Sequence, residues 1–200
     1  MRVVLASGSP RRRQILELAG LRHDVVAPGV DETVDDEDPS QEAVVVALRK
    51  ARAVAAEHPG ATVVAADTTL AHDGVSLGKP DDRAHARRML RQLSGARCTI
   101  TTGMAVVDGT GERTTARRAH IRVHELTDAV IDAYLATGAG DDKAGTLEIQ
   151  DRSAHFVDVL DGCPGTVIGL SVCALREDLA VEVAECHPDR CLAHYRRWGG

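Results

Sequence analysis

Residues 3–13 read VVLASGSPRRR, and this stretch predicts how the fold begins. Its apolar start predicts a short buried strand over Arg2–Ala6, since small residues end the apolar run. Ser9 is a preferred N-cap residue and Pro10 suits the first helical turn, so a helix is expected over Arg11–Ala19. A strand followed directly by a helix is typical of an α/β fold.

The turn between this strand and helix has the composition of an anion site. The first amides of a helix have no partner within it, and the helix N-terminus carries a partial positive charge. Small side chains at Ser7 and Gly8 let a phosphate approach the main chain. Arg11, Arg12 and Arg13 follow in the first turn, where each cation costs about 0.3–1 kcal/mol against the helix dipole. A bound phosphate would offset this cost, whereas a solvated basic turn is the alternative.

Composition limits the class of protein. With 200 residues and 44% hydrophobic side chains, the chain suits one α/β domain with mixed strand directions. A formal net charge of −6 argues against general binding to nucleic acid. We expect neither a membrane-spanning segment nor a signal peptide. Five cysteines in scattered positions indicate the reducing cytoplasm rather than a disulfide framework.

The remaining elements fit a single domain over residues 1–200, with a C-terminal helix and tail from about residue 176. Ala61–Ala66 predicts a central strand that ends at Asp67, and Asp73-Gly74 predicts the turn of a hairpin. Further strands are predicted over His23–Ala27, Arg97–Asp108, Glu112–His124, Thr146–Ile149, Phe156–Leu160 and Val167–Ser171, with helices over Gln41–Glu57, Asp81–Leu93 and Thr127–Thr137.

Two acidic motifs supply candidate metal ligands. Asp67 directly follows the run VVAA, and open α/β sheets bind ligands at the carboxyl ends of their strands. Glu32 lies in the acidic loop Asp31-Glu32-Thr33 after the second predicted strand. Converging carboxylates are the ligands that Mg²⁺ prefers, with waters completing its shell. The alternatives are a cap or turn role for Asp67 and a solvated loop around Glu32.

Lysine is rare in this chain and stands in informative places. Lys50 lies on the long predicted helix, Lys79 in the turn Gly78-Lys79-Pro80, and Lys143 before a short strand that ends at Gln150. Lysine supplies a compact ammonium on a flexible stem, which suits phosphate binding. The amide of Gln150 both donates and accepts hydrogen bonds, as reading a base edge requires. For Lys50 and Gln150 the alternative is a solvated side chain.

Taken in order, these stretches resemble the Maf family of nucleoside triphosphate pyrophosphatases. The resemblance runs from about residue 2 to residue 175 and rests on LASGSPRR (Leu5–Arg12), DET (Asp31–Thr33), KA (Lys50-Ala51), ADT (Ala66–Thr68), GKP (Gly78–Pro80), ARRMLRQLSG (Ala86–Gly95), TG (Thr102-Gly103), DKAG (Asp142–Gly145), IQ (Ile149-Gln150) and VIGL (Val167–Leu170). It implies an elongated mixed sheet with flanking helices and a central nucleotide-binding cleft between two lobes, commonly in a homodimer. The pairing DKAG…IQ resembles the branch that acts on dTTP and UTP rather than on 7-methyl-GTP.

The resemblance also implies a reaction and the residues that perform it. A nucleoside triphosphate would be hydrolysed to its monophosphate and pyrophosphate with a divalent cation, Mg²⁺ or Mn²⁺, held by Glu32 and Asp67. Asp67, directly or through the metal, would activate the attacking water. Carried over by position, the catalytic residues are Asp67, Lys50, Lys79 and Glu32, and the substrate-binding residues are Ser7, Arg11, Arg12, Thr68, Lys143 and Gln150.

Some positions depart from the family pattern. Arg49 stands where glutamate is usual, Asp151–Ala154 replaces a glycine-rich turn after Gln150, and Ser171 replaces a proline. A tail with zinc-ligand side chains at an uncommon spacing has no counterpart that we recognise; it contains Cys186, His187, Cys191 and His194. Two other functions therefore stay open: a nucleotide sensor linked to cell division that does not cleave its ligand, and a purine (ITP/XTP) pyrophosphatase of related fold.

Overall fold

The structure, a computed structural model, describes residues 2–34, 38–141, 143–147 and 156–183. Helices and strands alternate over most of this length. In chain order they are β1 (Val3–Ala6), α1 (Pro10–Leu18), β2 (His23–Val26), α2 (Pro39–Glu57), β3 (Thr62–His72), β4 (Val75–Leu77), α3 (Arg83–Leu93), β5 (Arg97–Asp108), β6 (Gly111–Val123), α4 (Asp128–Thr137), a 3₁₀ turn (Ala144–Thr146), β7 (Val157–Asp161), α5 (Pro164–Ile168) and α6 (Val172–Glu177).

A seven-stranded sheet organises the fold, and its mixed strand directions confirm the prediction from the sequence. Its strand order is β2-β1-β3-β5-β6-β7, and β4 pairs with β3 beside this path. β1 is parallel to β2 and β3, whereas the pairings of β3 with β4 and β5, of β5 with β6, and of β6 with β7 are antiparallel. The predicted hairpin between β3 and β4 is confirmed: Asp73 and Gly74 both adopt positive φ angles, of 50° and 81°.

An opening in the sheet lies beside β3. One edge of this strand pairs with β5 from Val63 to His72. On its other edge β1 pairs with Thr62–Val64 and β4 with Leu70–His72, so in the described part of the chain residues 65–69 lack a neighbouring strand there. The prediction that β3 ends at Asp67 is therefore wrong, because pairing with β5 carries the strand through this polar segment. We call this gap the sheet opening.

Helix α2 crosses the sheet at short range. Asp38 caps its first turn by accepting a hydrogen bond of 2.8 Å from the amide of Ser40. Where the helix crosses β5, a Cβ atom on Gly103 would overlap main-chain atoms of Ala43 and Val44. The absence of a side chain at residue 103 therefore lets α2 lie against the strands beside the sheet opening. Among the residues described here, no helix combines the length and hydropathy needed to cross a bilayer.

The apolar core forms three clusters around the sheet. One packs α1 and α6 against β1, β3 and β5, with Leu16 fully buried, and another packs α2 against the opposite face through Ala47. A third packs α3 and α4 against β5 and β6 and includes Leu90. Ala66 and Leu70 of β3 belong to the first and third clusters, and alternate residues of a strand share a face. Two clusters thus lie on one face, with the sheet opening between them.

The C-terminal part of the described chain is more helical than predicted. Val167–Ser171 is not a strand, because Pro164 begins α5 and Gly169, with a φ angle of 110°, ends it. A short apolar run does not distinguish a strand from a buried helical turn. The strand predicted over Thr146–Ile149 is wrong at its first residue, because Thr146 belongs to the 3₁₀ turn. The last two residues of that prediction lie outside the described ranges.

Candidate functional site

A cleft of about 750 Å³ lies at the sheet opening. Its walls come from the loops after β1 and β2, the middle of β3, the end of β4 and the turn that follows α4. Successive residues of a strand point to opposite faces. Asp67 therefore contacts α2 on one side of the sheet and Thr68 contacts α1 on the other, and both line the cleft.

A partly buried arginine forms one wall. The guanidinium of Arg12 donates from Nε to the carbonyl of Gly169 (2.9 Å), from Nη1 to Oγ of Ser7 (3.2 Å) and from Nη2 to Oγ1 of Thr68 (3.2 Å). Burial lowers the pKa of Arg12, and the charge of Asp67 opposes that shift. Arginine starts so far above neutrality that the group stays charged. A cation that three hydrogen bonds hold in place is suited to binding phosphate.

A chain of hydroxyl groups supports Arg12 from beneath. Thr102 Oγ1 donates to the carbonyl of Thr166 at 2.7 Å and lies 2.9 Å from Oγ1 of Thr68. Because the proton of Thr102 is used in that bond, Thr68 donates to Thr102 and accepts from Arg12. Thr102 and Thr166 are fully buried. No role was predicted from the sequence for Thr102 or Gly169, although Thr102 lies in the TG motif and Gly169 in the VIGL motif.

The remaining residues of the arginine turn divide between the cleft and solvent. Arg11 lines the cleft, whereas Arg13 pairs with Glu17 on the exposed side of α1 at 2.8 Å. Ser9 occupies the predicted N-cap position, but its side chain makes no capping hydrogen bond. Its amide instead donates to Oγ of Ser7 at 3.2 Å. The main chain at this turn is therefore held by Ser7.

A buried lysine forms the opposite wall. Nζ of Lys50 lies 2.7 Å from Oδ1 of Asp67 and 2.7 Å from Oε1 of Glu32. The Lys50 side chain is 7% exposed, so a solvated basic face, the alternative for this residue, is excluded. Lys79, from the turn after β4, lies 3.7 Å from Oε2 of Glu32 and its side chain is 62% exposed. The two lysines therefore differ: Lys50 is buried between two carboxylates, whereas Lys79 is largely exposed and makes one longer contact.

The carboxylate of Glu32 joins these cations. Burial on its own raises the pKa of Glu32, but the hydrogen bond and charge of Lys50, with the charges of Lys79 and Arg12, outweigh that effect. The net result is a pKa below the usual value for glutamate. Glu32 is therefore ionised at neutral pH, as a ligand for a cation must be.

The segment after α4 closes the cleft at its far end. Lys143 lines the cleft there, and the amide of Gly145 donates to the carbonyl of Gly78 at 3.0 Å. This bond ties the predicted base-recognition segment to the turn that carries Lys79. Gln150 lies outside the described residues, as do Asp151–Ala154 and the cysteines and histidines of the tail.

The donor set of the cleft suits one kind of metal. Within the described ranges, no three His, Cys, Asp or Glu side chains group together as a complete metal site. The cleft offers two carboxylates, Glu32 and Asp67, which flank the same ammonium. Mg²⁺ keeps several waters and is commonly held by one or two carboxylates together with substrate phosphates, so the residues present fit such a cation.

Known proteins resemble the chain over most of its length. The model of a family described as Maf-like protein matches residues 2–182. A protein of Deinococcus radiodurans named dTTP/UTP pyrophosphatase is 40% identical over 168 residues, which are 84% of this chain and 86% of that protein. A protein of the same name from Bacillus cytotoxicus is 40% identical over 177 residues, 88% of this chain and 93% of that one.

Solved structures are less similar. The nucleoside-triphosphatase / dITP/XTP pyrophosphatase of Mycobacterium abscessus superposes with a TM-score of 0.41 at 20% identity, over 63% of this chain and 76% of that one. The Ham1 protein of Staphylococcus aureus gives a TM-score of 0.44 at 13% identity, over 62% and 73%. These likenesses are too low to support an argument about function.

Proposed function

Because this chain belongs to the Maf family, we propose that it is a nucleoside triphosphate pyrophosphatase that converts dTTP and UTP into their monophosphates and pyrophosphate. The observation that carries the proposal is the pairing of Lys50 with Asp67 across the cleft from the partly buried Arg12. Cations that surround a carboxylate in one cleft are the arrangement that phosphoryl chemistry needs. The relatives that bear this activity in their names match most of the chain.

The cations bind and orient the triphosphate. Arg12, held by three hydrogen bonds, and the main chain at Ser7 receive phosphate oxygens, and Arg11 adds charge beside them. Lys79 exchanges its contact with Glu32 for a phosphate oxygen as the substrate enters. Fixed charges that need no rearrangement during the reaction stabilise the charge that develops on pyrophosphate as it leaves. Thr68 holds Arg12 in place for this role.

Asp67 acts as the base. Lys50 donates to Oδ1 of Asp67 and leaves Oδ2 to hold the attacking water and take its proton. The water oxygen forms a bond to the α-phosphorus, and the bond from that phosphorus to the oxygen bridging to the β-phosphate breaks. Pyrophosphate leaves with that bridging oxygen. A base must lie within hydrogen-bond reach of the proton it removes, which the position of Asp67 in the cleft allows.

We also propose that Glu32 and Asp67 would hold Mg²⁺ or Mn²⁺. When bound, such a cation would neutralise negative charge on the phosphate oxygens. Lys143 and Gln150 are proposed to contact the nucleoside. Activity lost on treatment with EDTA and restored separately by Mg²⁺ or Mn²⁺ would support the metal, whereas full activity in EDTA would exclude it.

The assembly and compartment are proposals as well. We propose a homodimer in the cytoplasm, without nucleic-acid partners, on the basis of the family resemblance, the net charge of −6 and the cysteine composition. Light scattering on the protein as it elutes from a gel-filtration column tests the dimer, since a mass of about 21.3 kDa would indicate a monomer.

The test of the proposed reaction is pyrophosphate release from a panel of dTTP, UTP, CTP, GTP, ITP and 7-methyl-GTP. Turnover led by dTTP and UTP, with the monophosphate as second product, is the expected result. Turnover led by ITP or another purine nucleotide would retain the chemistry and favour the purine pyrophosphatase. Nucleotide binding without any turnover would favour the sensor.

A further inference from the structure

Arg49 makes an unusual pair of contacts beside the cleft. It precedes Lys50 on α2 and lies on the exposed side of that helix. Its Nη1 atom donates to the main-chain carbonyl of Thr33 at 2.7 Å and to that of Asp31 at 3.1 Å. These two carbonyls belong to the residues on either side of Glu32. One guanidinium therefore holds the main chain on both sides of the carboxylate that contacts the two lysines.

We propose that Arg49 is a positioning residue that fixes the Asp31–Thr33 turn and so aims the carboxylate of Glu32 into the cleft. Arg49 is not among the residues that line the cleft in the described part of the chain, so it acts through Glu32 and not on the substrate. Two consecutive residues of α2 then position Glu32 together. Arg49 holds the main chain of the turn, and Lys50 holds the Glu32 side chain at 2.7 Å.

The turn has its own partial order, which Arg49 completes. Oδ1 of Asp31 accepts a hydrogen bond of 2.9 Å from the amide of Thr33. Such local aspartate turns are common and do not by themselves fix a loop to the rest of a protein. The two bonds from Arg49 connect this turn to a long helix packed on the sheet.

The proposal rests on the proposed function for its kinetic readout alone. The variants are Arg49→Met, which keeps an apolar stem and removes every donor, and Arg49→Lys, which restores a cation. The matched control is Arg52→Met. Arg52 lies on the same helix, and its replacement removes an exposed arginine together with its ion pair to Glu112 at 2.6 Å. Circular dichroism and thermal unfolding establish that each variant is folded.

Two measurements decide the matter. Backbone ¹⁵N relaxation of Glu32 and Thr33 should give order parameters of about 0.85 in the unchanged protein and in Arg52→Met, falling below about 0.6 in Arg49→Met. The kcat for dTTP should fall about tenfold in Arg49→Met with little change in KM, which is the low end for loss of a group that orients a ligand side chain. The order parameters and kcat of Arg49→Lys should lie between those of the unchanged protein and those of Arg49→Met.

Each of the other possible results would refute a stated part of the proposal. Unchanged order parameters in Arg49→Met would refute the positioning of the turn, and lowered order parameters with unchanged kcat would refute its importance for catalysis. An equal loss in Arg52→Met would attribute the effect to helix charge. If the unchanged protein does not hydrolyse dTTP, the proposed function fails, while the relaxation measurement still decides whether Arg49 orders the turn.

Discussion

Nζ of Lys50 lies 2.7 Å from Oδ1 of Asp67, and a glycine on a third element makes this distance attainable. Asp67 stands opposite Gly103 in the pairing of β3 with β5. At that point α2 crosses so close that a Cβ on Gly103 would overlap the main chain of Ala43. The depth at which α2 brings Lys50 to Asp67 is thus set by the missing side chain at residue 103.

Gly103→Ala should therefore affect both stability and activity. The added methyl group must push α2 away from the sheet, since main-chain atoms cannot yield as a flexible side chain does. Overpacking of this kind costs about 1–3 kcal/mol, so we expect the free energy of unfolding in urea to fall by that amount. Pyrophosphate release should fall as well, because Lys50 moves with the helix.

Gly109→Ala is the matched control for that change. Gly109 lies in the turn between β5 and β6, and a Cβ there would meet no atom within 4 Å. Its unfolding free energy should stay within about 0.5 kcal/mol of the unchanged protein, with full activity. Equal stability of Gly103→Ala and Gly109→Ala would show that the crossing of α2 is not as close as described.

Asp67→Asn should greatly reduce turnover while the protein stays folded. Asparagine keeps the shape of the side chain but cannot accept a proton from water, so kcat should fall by about 10²–10³. Nucleotide binding, measured by calorimetry, should persist because Arg12 and Lys79 remain. Asp73→Asn, in the exposed turn after β3, should keep full activity, since asparagine tolerates the positive φ angle of 50° found there. Near-normal turnover in Asp67→Asn would remove Asp67 from its assigned role.

Much of the fold could be predicted because it depends on local patterns. Alternation of apolar runs with turn residues located the strands and helices before the C-terminal part, and Asp73-Gly74 located a hairpin. The end of β3 was placed wrongly because Asp67-Thr68-Thr69 is polar, and polarity usually ends a buried strand. Here the strand continues, since β5 supplies hydrogen bonds on one edge while the other faces the cleft.

The candidate site was predictable in its charged residues and not in the groups that hold them. Charged residues in motifs stand out in a sequence, so Arg12, Lys50 and Asp67 were chosen from it. Thr102 and Gly103 contact elements that are far apart in the chain. No pattern in the sequence around these two residues indicates those contacts. Arg49 stood out as a departure from the family pattern, but its two carbonyl partners became visible only when the loop was seen against α2.

Thr102→Val should weaken substrate binding through Arg12. Valine has nearly the same shape as threonine but leaves the carbonyl of Thr166 and the hydroxyl of Thr68 without their partner. Unpartnered buried groups cost roughly 1–3 kcal/mol, which should appear in urea unfolding. Because Thr68 loses the partner that fixes its own hydroxyl, it then holds Arg12 less firmly, and KM for dTTP should rise more than kcat falls.

Thr99→Val is the control for the change at Thr102. It is the same substitution on the same strand, and strand alternation places residue 99 on the opposite face of the sheet. Its KM for dTTP should equal that of the unchanged protein. A KM that rises equally in both variants would indicate a general effect of valine in β5 rather than a chain of hydroxyl groups under Arg12.

Asp108 should make the stability of the β5–β6 hairpin depend on pH. Its carboxylate accepts hydrogen bonds from Arg113 at 2.6 Å and from the Thr110 hydroxyl at 2.6 Å, and these bonds, led by Arg113, hold the pKa of Asp108 well below its usual value. A depressed carboxyl pKa gives stability that is fully present above the unfolded-state value of about 3.9 and is lost as the pH falls towards the folded-state pKa.

Asp108→Asn should therefore unfold at a lower temperature at pH 7, by the equivalent of roughly 1–2 kcal/mol, with the gap narrowing below about pH 4. Asp24→Asn, which loses an exposed pair with Arg2, should show almost no gap at either pH, and a gap for Asp108→Asn that stays constant as the pH falls would contradict the assignment of its cause.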